Sequence, residues 1–97
     1  MQVIENATHL KARLLDKADD PARPGWLRVT VQVTHTAPAG ALPSLVQAAA
    51  GESLAVLVGP EDRAAVDALP AGADVAMQVR LRAPGVHTVV PGSVGAG

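Results

Sequence analysis

The 97-residue chain has no cysteine, no phenylalanine and no tyrosine, and it has a single tryptophan, Trp26. Lack of cysteine excludes disulfides, thiolate metal sites and thiol catalysis. It also fits a reducing compartment, so the cytoplasm is the expected location. Lack of aromatics leaves valine, leucine and alanine to supply the buried area. β-branched side chains pack well on pleated surfaces, so the composition leans towards sheet. Long apolar runs are missing too: none approaches the roughly 20 residues that span a bilayer, and no basic region followed by an apolar run opens the chain. Neither a membrane anchor nor an export signal is expected. An excess of one charge is also absent, since eight Lys/Arg face nine Asp/Glu for a net −1. Any attraction to a polyanion must therefore come from how the charges are distributed.

What is present is apolar and globular in character, with 48% hydrophobic and 18% charged residues. That length supports one modest core. Residues 1–92 read as a single small domain, and residues 93–97 as a flexible tail expected to fray. The clearest element is residues 26–36, where Leu27, Val29, Val31 and Val33 alternate with Trp26, Arg28, Thr30, Gln32 and Thr34. Strict period two marks a half-buried strand, bounded by turn chemistry at Asp20-Pro21 and Pro24-Gly25 before it and at Pro38-Ala39-Gly40 after it. His35 continues the inward parity of that strand.

A second alternation places Val75, Met77, Val79 and Leu81 on one side and Ala76, Gln78, Arg80 and Arg82 on the other. Pro84-Gly85 breaks it, and residues 86–90 return as the other arm of a hairpin. Residues 54–58 are apolar on both sides, as in a strand covered on both faces. Pro60 with two acids, followed by Ala65, Val66 and Leu69 at helical spacing, predicts a short helix over 61–69. Two segments stay open. Residues 44–51 fit either a short helix or a hairpin arm. The N-terminal arm has helical propensity over 7–18, but its Leu10, Ala12 and Leu14 also fit a strand face. A helix there would give an α+β fold, with the helix packed on an antiparallel sheet. A strand would give the other strands a partner.

Taken in order, strand (9–15), strand (26–36), strand (54–58), helix (61–69), strand (75–82) and strand (86–90) resemble the five-stranded OB-fold barrel. Leu10-Lys11-Ala12-Arg13-Leu14-Leu15, followed by Pro24-Gly25-Trp26-Leu27-Arg28-Val29-Thr30-Val31, is similar to the opening hairpin of single-stranded-DNA-binding proteins. The resemblance implies a mainly β, partly open barrel with one short helix between strands 3 and 4. It also implies a non-enzymatic binding module for single-stranded nucleic acid.

On this reading the outward faces carry Lys11, Arg13, Trp26, Arg28, Arg80 and Arg82, which hold five of the eight basic residues. The acids fall in the N-terminal arm, the loops and the helix. Such a face would track phosphates by counterion release while Trp26 stacks on one base. Two other readings compete. Polar strand side chains also guard sheets against edge-to-edge pairing. An apolar surface with open strand edges would instead suit self-association or another protein partner. His9, His35 and His87 lack metal-ligand spacing, so neither metal nor cofactor is expected. Ser44, Ser53 and Ser93 lack a nucleophile elbow, and no nucleophile, base and stabiliser can be assembled, so an enzyme is not expected.

Overall fold

A computed structural model describes residues 6–41, 44, 46, 48–83 and 85–96. Among these, the strands are β1 (Thr8–Asp19), β2 (Leu27–Pro38), β3 (Ser53–Val58), β4 (Asp74–Ala83), β5 (Val86–Val89) and the two-residue β6 (Gly95–Ala96). A 3₁₀ turn (Pro60–Asp62) runs directly into the short helix α1 (Arg63–Asp67) between β3 and β4. The strand order is β1-β2-β3-β5-β4, and β1 pairs again with β4, which closes a five-stranded barrel. All pairings are antiparallel except β3 with β5, which run parallel through Leu57 and Thr88. This mainly β barrel, with one short helix between its third and fourth strands, is consistent with an OB-like small barrel.

The N-terminal arm is a strand despite its helical propensity, because alternation lets it serve two neighbours at once. Thr8, Leu10, Ala12 and Leu14 are buried, while His9, Lys11 and Arg13 between them are exposed. Its 12 residues pair with β2 along their whole length and with β4 over the first half. Burial against both strands outweighs a propensity difference of a few tenths of a kcal/mol per residue. Beyond the end of β1, the Asn6 side chain continues the ladder. Its Nδ2 donates to the Leu81 carbonyl at 2.9 Å and its Oδ1 accepts from the Leu81 amide at 2.8 Å.

Two β-bulges bend the β1–β2 pair. Pairing steps from Leu14–Val31 to Asp16–Thr30 and leaves Leu15 as the extra residue, 43% exposed. Pairing also steps from Lys11–His35 to Ala12–Val33, which makes Thr34 the extra residue, and its hydroxyl donates to the Lys11 carbonyl at 2.9 Å. The second bulge corrects the reading of His35. One added residue flips the parity of the rest of the strand, so His35 is exposed rather than inward.

The core is aliphatic: Leu10, Leu14, Leu27, Val29, Val31, Val33, Val56, Val58, Val75, Met77 and Val79 line it, and Val66 of α1 is buried against them. Trp26 is half-buried in the β1–β2 loop and lies outside this cluster, so it plugs neither end. In the connector, neither helix nor strand occurs among the described residues of 44–51; Leu45 and Gln47 lie outside them. Val46 joins the core, and the Ser44 and Thr8 hydroxyls share a hydrogen bond at 2.7 Å. Of the tail, Gly95–Ala96 pair with β4 through Ala76 and Val75, and the Ser93 hydroxyl accepts from the Gln78 amide at 3.0 Å.

Candidate nucleic-acid interface

Strand register decides which of the sequence-predicted residues meet. Arg28 on β2 stands opposite Leu57 on β3, Leu57 opposite Thr88 on β5, and Thr88 opposite Arg80 on β4. These four residues form one row across four strands. At about 4.8 Å per strand step, Arg28 and Arg80 lie roughly 14 Å apart. Arg82 joins the far end of the row, where its Nε donates to the Thr88 hydroxyl at 3.0 Å. Arg28 and Arg82 are exposed, and Arg80 is half-buried. The Arg80 Nε is buried with no hydrogen-bond partner among the described residues.

Lys11 and Arg13 belong to a different part of the barrel. They lie on β1, which pairs with β2 and β4 but with neither β3 nor β5. Lys11 stands between His35 and Ala76, and Arg13 between Gln32 and Asp74. The six predicted residues therefore divide into a row at Arg28, Arg80 and Arg82, a separate pair at Lys11 and Arg13, and Trp26 in the loop beside Arg28.

A groove of about 280 Å³ opens next to Arg28, between the β1–β2 loop and the β4–β5 turn, and is lined also by Asp20, Arg23, Ala55, Leu57, Val86 and His87. One wall is the β1–β2 loop, which is braced internally. The Asp20 carboxylate accepts from the Ala22 amide and from Arg23 Nη1, both at 3.0 Å. The backbone closes the same loop, with the Asp20 amide donating to Trp26 and the Trp26 amide to Arg23, each at 3.0 Å. Gly25 takes a φ of 85° at its tip, where a side chain would be strained. The Ala22 amide holds the Asp20 carboxyl below the ordinary carboxylate range; burial opposes this, and Arg23 and then Arg28 add to the lowering. Burial pushes the His87 imidazole below its ordinary value, so the neutral ring is favoured. The floor of the groove, formed by Ala55, Leu57 and Val86, is aliphatic.

The charges divide by function. Lys17 Nζ donates to the carbonyls of Val66, Asp67 and Leu69 at 3.2, 3.0 and 3.0 Å, capping the C-terminal end of α1. Arg63 pairs with Asp19 and Asp67, and Arg23 with Asp20. Among the described residues, Lys11, Arg13, Arg28, Arg80 and Arg82 pair with no carboxylate. β2, β3 and β5 carry no acid at all, and β4 carries one, Asp74, at its start.

The sequence reading did not single out Arg23, His87, Ala55, Leu57 or Val86 as groove residues. Turn signals at Asp20-Pro21 and Pro84-Gly85 marked both rims, but only the β3–β5 pairing brings the rims together. Among the described residues no group of three or more His, Asp or Glu side chains could hold a metal ion, and no helix is long and apolar enough to cross a membrane. No protein-family model matches the chain, and no curated protein does.

Proposed function

We propose that this protein is a non-enzymatic binding module that takes single-stranded nucleic acid across the outer face of β2, β3, β5 and β4. The observation carrying this reading is the row Arg28–Leu57–Thr88–Arg80 with Arg82 beside it. Three guanidiniums without carboxylate partners flank a short aliphatic and hydroxyl surface. Guanidinium is weakly hydrated and presents a planar fork matched to phosphate oxygens. A span of roughly 14 Å suits a chain of successive phosphates better than one small anion.

Backbone contacts dominate in this reading. Trp26 is the only Phe, Tyr or Trp side chain in the chain, so large-ring base stacking adds one platform, worth about 1–3 kcal/mol. The aliphatic floor beside Arg28 gives a base apolar contact but no hydrogen-bond code. Binding should therefore be weak, indifferent to sequence and sensitive to salt. Closure also supports a ligand on the strand face over self-association through sheet edges, because each of the five barrel strands has a neighbour on both sides.

The test is a titration of labelled oligothymidylate followed by anisotropy over a range of salt. Three phosphate contacts give a slope of log affinity against log salt near −2, about −0.7 for each phosphate. Arg28→Gln together with Arg82→Gln should bring the slope close to −0.7 and weaken binding at low salt by about tenfold or more. An unchanged slope in that double variant would remove the row from the interface.

A further inference from the structure

We propose that the outer face of β1, with its neighbours on β2 and β4, holds a second anion site built on Lys11, His9 and His35, which takes a phosphate group. This inference is independent of the nucleic-acid row. The pairing forms a grid of three strands by two residues: Gln78, His9 and Ala37 in one line, and Ala76, Lys11 and His35 in the next. His9, Lys11 and His35 are all exposed. Directly opposed side chains on antiparallel strands have Cβ atoms about 4.5–5.5 Å apart, and diagonal ones about 7–8 Å. All three nitrogen-bearing side chains therefore come within reach of one tetrahedral anion.

Ala37 and Ala76 occupy two corners of the grid, and their small side chains leave a hollow of about 380 Å³ among the longer ones. No carboxylate lines it. The other charged groups on these two strands are Arg13 on β1, with Asp16, Lys17 and Asp19 further along it, Asp74 opposite Arg13 on β4, and Arg80 and Arg82 further along β4. β2 adds Arg28 at its far end besides His35, and β6 carries none. Asp74 lies beside Arg13, one outward position beyond the hollow. The Ser93 hydroxyl at the rim is already occupied, donating to the Val90 carbonyl at 2.6 Å.

The bulge at Thr34 is what makes the site. Without that extra residue His35 would point inward; with it, the imidazole is set opposite Lys11. The hollow then brings the Lys11 ammonium and two imidazoles together, three nitrogen-bearing groups that can donate to the oxygens of one phosphate.

The test follows the His9 and His35 ring resonances and the Lys11 Nζ group by NMR while sulfate, a dianion standing in for phosphate, is added at pH 5.5. All three groups should shift together along one binding curve. His9→Gln with His35→Gln should weaken binding about tenfold, and Lys11→Gln should abolish it. These positions are exposed, so the variants should keep the fold. A parallel titration with oligothymidylate, on protein carrying Arg28→Gln and Arg82→Gln, separates two sources of the phosphate. Shifts with sulfate assign the site to a free or terminal phosphate group, and shifts with the oligonucleotide alone assign it to backbone phosphodiesters. No shift with either at pH 5.5, or shifts that survive Lys11→Gln, would overturn the proposal.

Discussion

The region around the short helix and the arginine-bearing face use the same kind of side chain in opposite ways. At the helix end, Lys17 is consumed by three carbonyls of α1 and the residues just beyond it, and Arg63 by two carboxylates. Asp62, itself buried, accepts from the Gly92 amide at 3.1 and 3.2 Å and ties the start of the helix to the turn after β5. Across the β2–β3–β5–β4 face, Arg28, Arg80 and Arg82 form no ion pair with a carboxylate among the described residues, although the Asp20 carboxylate lies in the same groove as Arg28. A cation that completes the fold has local partners. One that has none is available to something outside the molecule.

This contrast can be broken by mutation, and the largest effect belongs to the shared core. Leu14→Ala removes a fully buried side chain and should cost about 2–5 kcal/mol, lowering the melting temperature by at least about 8 °C in a domain of this size. Next comes the helix end. Asp62→Ala leaves the Gly92 amide without its acceptor, and Lys17→Met leaves three carbonyls uncapped. Each should cost about 1–3 kcal/mol by urea unfolding and leave oligothymidylate affinity within about twofold. Arg28→Gln with Arg82→Gln should do the reverse, changing stability by less than about 0.5 kcal/mol while reducing affinity. If Lys17→Met weakened binding as much as the arginine pair does, the two regions would not differ as described.

The smallest effects are on the pH dependence of stability. Asp20 has its folded pKa lowered, chiefly by the Ala22 amide. Its contribution is therefore full above the ordinary carboxylate range and is lost as pH falls below about 4 through the folded value. His87 also has its folded pKa lowered, by burial. The unfolded chain takes up that proton first, so stability is lost as pH falls below about 6.5. Denaturant midpoints measured against pH should show two separate declines. His87→Gln should remove the upper one, and Asp20→Asn the lower.

Much of the barrel was legible because alternation is a local signal. Leu27 to Val33 and Val75 to Val79 bury the residues their period demands, and Pro60 with its following acids marks the start of the helix. The N-terminal arm was harder, because its residues favour helix locally and only the pairing with both β2 and β4 settles it. Bulges were not legible. A single inserted residue leaves no compositional mark, and so His35 was assigned to the wrong face. The candidate interface was legible as a set of residues but not as a place. Arg28, Arg80 and Arg82 come together through one parallel contact, Leu57 to Thr88, between strands that nothing in the sequence marks as neighbours. Lys11 and Arg13 separate from them for the same reason.

The most direct test of the arginine row is amide chemical-shift mapping with short oligothymidylate at low salt. The row predicts that the largest changes fall on Arg28, Leu57, Arg80, Arg82 and Thr88, with the amides of the loop around Trp26 following them and those of Lys17, Arg63 and Val66 unmoved. Changes centred on the helix end, or none on the row at saturating oligonucleotide, would contradict it.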